Sequence, residues 1–229
     1  MDIIHKSKRC LKGRFQAILC RSAFSVFGVL LAGCGIGFLK RSEFGVDPFQ
    51  VFAAGIGRIS PLSFGATYTV LGMVLLLFAA VFDRHYIGIG TVITFLLQGY
   101  VIDGVRGALY LLLPDVILAQ RMVLFAIGFL LLCFATAVYY CADQGVSAYD
   151  AIALIIANTW KKGCFRINRV LTDLCCVICG CLLLFISEVD FAGLAQSCGI
   201  GTLILAFGMG PVVDLVERPL LKVRVLSQS

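Results

Sequence analysis

The sequence predicts an all-α fold, a polytopic transmembrane helical bundle of six spans plus two short half-helices. Three observations carry this. Hydrophobic residues make up 60% of the 229 and charged residues only 14%, against roughly 25% charged in soluble domains. Charge-free apolar runs of spanning length recur along the chain. These runs show no alternation of polar and apolar residues, so they read as helices and not as barrel strands. So few charges cannot cover a water-facing surface, which excludes a soluble domain and a disordered chain.

The expected spans, in order, are Ser22–Leu39, Ile59–Phe82, Tyr86–Ile102, Met122–Ala142, Ile167–Ser187 and Phe191–Val213. The fifth reaches spanning length only by carrying Arg169 and Asp173 near its start. Six spans put both termini on one side. The basic residues near that side are Lys6, Lys8, Arg9, Lys12, Arg14, Arg21, Arg84, Lys161, Lys162, Arg166, Arg169, Arg218, Lys222 and Arg224, fourteen of nineteen. Lys40, Arg41, Arg58, Arg106 and Arg121 fall opposite. The positive-inside rule therefore places both termini in the cytoplasm of a multi-pass protein of the cell (plasma) membrane. It also accounts for the net charge of +6 without a nucleic-acid partner. Leu31-Ala32-Gly33-Cys34 after a basic start imitates a lipoprotein signal, but the apolar run continues past Cys34.

The chain repeats itself. At an offset of 100, Arg21 meets Arg121, Gly28 meets Gly128, Leu30-Leu31 meets Leu130-Leu131, and Gly45-Val46 meets Gly145-Val146. At an offset of 111, Gly88-Ile89-Gly90-Thr91 meets Gly199-Ile200-Gly201-Thr202; Gly99, Val101 and Asp103 then meet Gly210, Val212 and Asp214. The slip fits an insertion at Glu188–Cys198. The expected organisation is a basic cytoplasmic tail (1–20), a first membrane repeat (21–106), a connecting loop (107–120), a second repeat (121–216) and a cytoplasmic tail (217–229).

Each repeat reads as span, short segment, span, span. The short segments, Gly45–Arg58 and Gly145–Trp160, begin with polar residues suited to capping, Asp47 before Pro48 in one and Ser147 in the other. About ten apolar residues cover roughly 15 Å as a helix, too little to cross. Three spans per copy invert the second copy, a plan common among transporters. Were both short segments to cross, there would be eight spans and parallel copies.

The Gly-Val-Asp-Pro-Phe block at 45–49, the two Gly-Ile-Gly-Thr blocks and Gly210-Pro211 together resemble the YczE/YyaS/YitT-like group of bacterial integral membrane proteins. The resemblance covers the chain beyond its first twenty residues. It implies a multi-pass bacterial membrane protein and supplies no catalytic residue. Gln50 stands where the group's pattern leads to an acidic residue, and Tyr100 where Pro211 has its proline.

Ionisable groups inside a membrane are costly and each needs a reason. Asp47, Gln50 and Asp150 at the half-helix starts can line a pathway, although Asp47 is equally a plain helix cap. Arg169 and Asp173, one turn apart, can pair on one face; Arg166 and Arg169 can also snorkel to headgroups. Asp173 is the deepest carboxylate and so the best single pathway candidate. Asp103 and Asp214 can gate opposite ends, or simply finish their helices. Gly88, Gly90 and Thr91, with Gly199, Gly201 and Thr202, suit close helix packing, the threonines bonding backbone carbonyls. No Gly-Lys-Ser/Thr follows, so a phosphate loop is not expected.

The eleven cysteines read as small packing residues, without a His or Met cluster to make a metal site. No cofactor and no enzyme signature is expected. The function expected is a small-solute permease or channel with its pathway at the repeat interface. The alternative is a non-transporting assembly or substrate-capture subunit. Partners follow accordingly: the lipid bilayer, a small-molecule or ion substrate, and an oligomer mate or partner subunit.

Overall fold

The computed structural model describes the backbone of residues 2–62, 64–187 and 198–226, with side chains at 21–62, 66–88, 90–187 and 198–220. Most of the basic tail residues named above, and all but the last residue of the connection at 188–198, lie outside these side chains. The described chain is helical: α1 (Asp2–Ser42), α2 (Pro48–Ile59), α3 (Phe64–Phe82), a 3₁₀ turn (Arg84–Tyr86), α4 (Ile89–Leu112), α5 (Leu118–Ala142), α6 (Ala148–Leu154) running into a π segment (Ile155–Thr159), α7 (Phe165–Ile186) and α8 (Ile200–Leu226).

Among the described residues, five stretches are long and apolar enough to cross a membrane: Arg21–Ser42, Gly90–Leu112, Leu118–Ala142, Phe165–Ile186 and Ile200–Leu220. The expected span Ile59–Phe82 differs from its sequence reading. Ile59 closes α2, the chain breaks at Ser60 and Pro61, and the apolar helix that follows is the shorter Ala66–Phe82. Pro61 removes a helical N–H and pushes Ser60 to extended backbone, ψ 148°, which ends α2 there. Conversely α4 runs on to Leu112, carrying Asp103 and Arg106 inside the helix. Leu96, Tyr100, Leu111 and Leu112 of this helix are strongly exposed.

α1 and α5 form the centre and run antiparallel. A methyl placed on Gly28 would sit 3.0 Å from Tyr139 Cβ, and one on Gly128 would sit 2.9 Å from Leu39 N. Only glycine permits so close an approach of two backbones. α4 lies parallel to α1, where Gly33 and Gly37 receive Val101 and Val105. α8 lies parallel to α5 in the same way, with Gly201 against Phe125 and Gly208 against Phe129. α2 packs on α7 through Gly55 and Gly180, and α6 packs on α3. α8 closes on α7, Gly210 abutting the Arg166 carbonyl. The core between these layers is built from Ala32, Leu132, Ala135, Ile155, Leu205 and Val213.

Two turns shape the short helices. After α1, Glu43 (φ 57°) and Gly45 (φ 127°) bend the chain into Asp47; after α5, Asp143 (φ 55°) and Gly145 (φ 92°) bend it into Ser147. Each turn is held by a glycine–threonine block from the other half of the chain. Gly90 N donates to Gln144 O at 2.8 Å, and Thr91 Oγ1 donates to Val146 O at 2.7 Å. Gly201 N donates to Phe44 O at 2.9 Å, and Thr202 Oγ1 donates to Val46 O at 2.8 Å.

Polar clusters mark the two ends. At one, buried Arg41 donates to the carbonyls of Leu113 and Pro114 and lies 4.2 Å over the Tyr110 ring, while Glu43 pairs with Arg121 at 2.8 Å. At the other, His85 meets Asp143 at 3.0 Å and Thr159 donates to Asp83 at 2.6 Å. Trp160 closes the π segment there, edge-on to Phe82 and Phe78 of α3 at 5.2 and 6.1 Å.

A buried charge cluster beside a cavity

The two short helices deliver their first turns to one place. Asp47 Oδ1 accepts from Phe49 N at 3.0 Å and caps α2, with Pro48 in the first turn. Ser147 Oγ accepts from Asp150 N at 3.1 Å and caps α6. These caps satisfy N–H groups that have no partner within the helix. They also turn Gln50, Tyr149 and Asp150 inward, where all three are buried.

Arg169 of α7 is the hub. It is 2% exposed and points into the protein, so the expectation that it snorkels to the headgroups is overturned; only Arg166, half-exposed, faces outward. Arg169 Nη1 donates to Asp150 Oδ1, and Nε lies 3.2 Å from Asp173 Oδ2. The guanidinium stacks 4.6 Å over the Tyr149 ring, and Nη2 touches Met209 Sδ at 3.5 Å. Two tyrosines complete the carboxylates: Tyr139 donates to Asp150 Oδ2, and Tyr149 donates to Asp173 Oδ1 at 2.5 Å. A buried guanidinium is tolerated only when paired and hydrogen-bonded in this way.

This cluster borders a cavity of about 520 Å³, within the range of small-molecule sites. Asp47, Gln50, Tyr68, Tyr139, Tyr149, Asp150, Arg169 and Met209 line its inner end; Lys40, Asp103 and Arg106 line the other. Asp173 does not reach the cavity, being 0% exposed behind Tyr149 and Arg169. Gly99 of α4 also lines the space, and a methyl there would meet nothing within 4 Å.

Of the residues expected along a pathway, the structure therefore gathers Asp47, Gln50, Asp150 and Arg169 at the cavity, with Asp173 immediately behind and Asp103 at the far end. Asp214 stands elsewhere, between Arg218 at 2.8 Å and Arg166 at 3.8 Å. Gly88, Gly90, Thr91, Gly199, Gly201 and Thr202 serve the cross-docked turns. Sequence reasoning passed over Tyr139, Tyr149, Gln98 and Met209. Only Tyr139-Tyr140 carried a signal, as paired hydroxyls inside an otherwise apolar span. Among the described residues no group of three His, Cys, Asp or Glu converges to hold a metal ion.

Residues 19–218 match the family described as "Family of unknown function (DUF6198)". The chain is 25% identical to the uncharacterized protein YyaS of Bacillus subtilis over 206 residues, covering 88% of this chain and 94% of YyaS. It is 27% identical to an uncharacterized protein of Haemophilus influenzae over 190 residues, covering 82% of this chain and 79% of the relative. No solved structure matches it. The YyaS match agrees with the resemblance read from the glycine-rich blocks.

Proposed function

The chain belongs to DUF6198, and within that family of unknown function we propose that it is a small-solute permease of the cell membrane. The observation that carries this is the cavity into which both short helices present their capped first turns beside the Arg169 cluster. Buried charge against an open space lined by apolar and aromatic side chains with a few polar groups is what a binding site for a solute needs. The carboxylates pair with Arg169 and with tyrosine hydroxyls, and we read the site as one that binds.

In this reading α3 is a sixth span, both termini are cytoplasmic and the two halves are inverted repeats. Three facts support inversion. The matched helices α1 and α5 are antiparallel neighbours. The glycine–threonine blocks dock reciprocally. α2 packs on α7 as α6 packs on α3.

The test is solute efflux. Proteoliposomes loaded with a mixed metabolite extract are expected to release a subset of solutes that Asp150→Asn proteoliposomes retain, read by mass spectrometry. Release no different from empty liposomes overturns the proposal.

One observation favours a second reading, a capture or assembly subunit acting with a partner. Gly104 and Gly107 of α4 meet nothing within 4 Å, and small-residue faces of this kind seat other helices in membranes. A stoichiometric partner retained in mild detergent is its expected sign.

A further inference from the structure

Asp47 and Asp150 line the cavity with Arg169, Asp173 lies behind them, and Lys40 also lines it within electrostatic reach of Asp47. Arg169 is committed to Asp150 and Asp173. Asp47 makes no ion pair among the described residues; its carboxylate accepts from the backbone N–H groups of Phe49 and Gln50. Gln50 beside it is 7% exposed, lines the cavity, and makes no side-chain hydrogen bond among the described residues. An amide at a cavity wall gains from a hydrogen-bond partner, and a carboxylate without an ion pair gains from a nearby positive charge. Both needs are met at once by a ligand that brings positive charge and N–H donors.

The surroundings narrow the class. Phe49 stacks on Tyr149 at 5.0 Å and meets the tilted Tyr68 ring at 5.1 Å, and all three line the cavity. Aromatic faces attract cations and accept apolar groups. The carboxylates do not converge as a metal site would, and the space is far larger than one ion.

We propose that this inner end binds the ammonium group of a small organic amine, with Asp47 as its counter-ion, Gln50 Oε1 accepting an N–H, and the apolar part against Phe49 and Tyr68. This rests on the reading of the cavity as a solute site and names the solute's class.

The experiment is thermal unfolding of the full chain in lipid nanodiscs with a panel of protonated amines, methylammonium to benzylammonium, beside benzyl alcohol and benzoate. A ligand that binds only the folded state raises the midpoint. Amines are expected to raise it saturably, and the alcohol and benzoate are not. Asp47→Asn is expected to raise the half-saturating amine concentration about tenfold or more, and Gln50→Leu to raise it as well. Asn caps a helix as well as Asp does, so Asp47→Asn keeps α2. Asp47→Glu retains binding, and Asp214→Asn, away from the cavity, leaves it unchanged.

A shift with benzoate, equal shifts with amine and alcohol, no shift with any amine, or an unaltered Asp47→Asn response overturns the proposal. Binding needs no transport, so amine binding without efflux sinks only the permease reading. Efflux confined to neutral or anionic solutes, unaffected by Asp47→Asn, sinks only the amine.

Discussion

At the residue scale, Arg169 is the side chain on which the interior depends. Removing it leaves Asp150 and Asp173 buried without their counter-charge, which costs about 3–5 kcal/mol in comparable sites. Arg169→Met is therefore expected to lower the thermal midpoint sharply, with Arg169→Lys recovering little, because a point charge cannot address two carboxylates in different directions. A midpoint near wild type for Arg169→Met would remove Arg169 from this role. The pairing with Asp173 was legible in the sequence, because four residues apart on one helix fixes the geometry. The pairing with Asp150 was not. It joins α6 to α7 across nineteen positions, and a helix periodicity says nothing about which neighbour a side chain meets. Arg41 teaches the same lesson: it read as a loop charge and proves to be 1% exposed, tied to the carbonyls that end α4.

At the scale of the elements, glycine decides which helices touch. A methyl on Gly180 would lie 2.7 Å from the Val51 carbonyl carbon, in backbone that cannot move aside without shifting α2. Gly180→Val is expected to cost at least the roughly 1–3 kcal/mol of overpacking, read as a lower midpoint. Gly99→Ala, facing open space, is expected to be neutral or stabilising by up to about 1 kcal/mol. The 3₁₀ turn and the π segment are joined by a titratable contact. The Thr159 hydroxyl holds the exposed Asp83 carboxyl below the usual carboxylate range. A depressed carboxylate adds stability above its unfolded pKa and loses it as pH falls through the folded value. The difference between wild type and Thr159→Val should therefore be present at neutral pH and vanish on acidification through and below the ordinary carboxylate range. The existence and length of the helices were readable from apolar runs and caps, Asp47, Pro48 and Ser147 above all. Their ends were less so, because Pro61 interrupts one apolar run while Asp103 and Arg106 sit inside α4 without ending it.

At the scale of the whole molecule, matched positions occupy unmatched surroundings. Gly210 is packed against α7, whereas Gly99, at the same place in its own half, borders the cavity between α3 and α4. In a chain freed of its native cysteines, Gly99→Cys is expected to react with a hydrophilic maleimide and Gly210→Cys to be protected. Equal labelling would contradict the packing described here. The two glycine–threonine blocks stood out in the sequence because each docks closely against a turn of the chain. The cavity was not visible, since it is space left by helices and no residue encodes it directly. Trp160, the one tryptophan of the chain, lies on the seam where the π segment meets Phe78 and Phe82. The molecule thus carries its own optical reporter: any sliding of α3 against α6 changes the water around a single indole, and its emission colour follows that motion without a dye or a label.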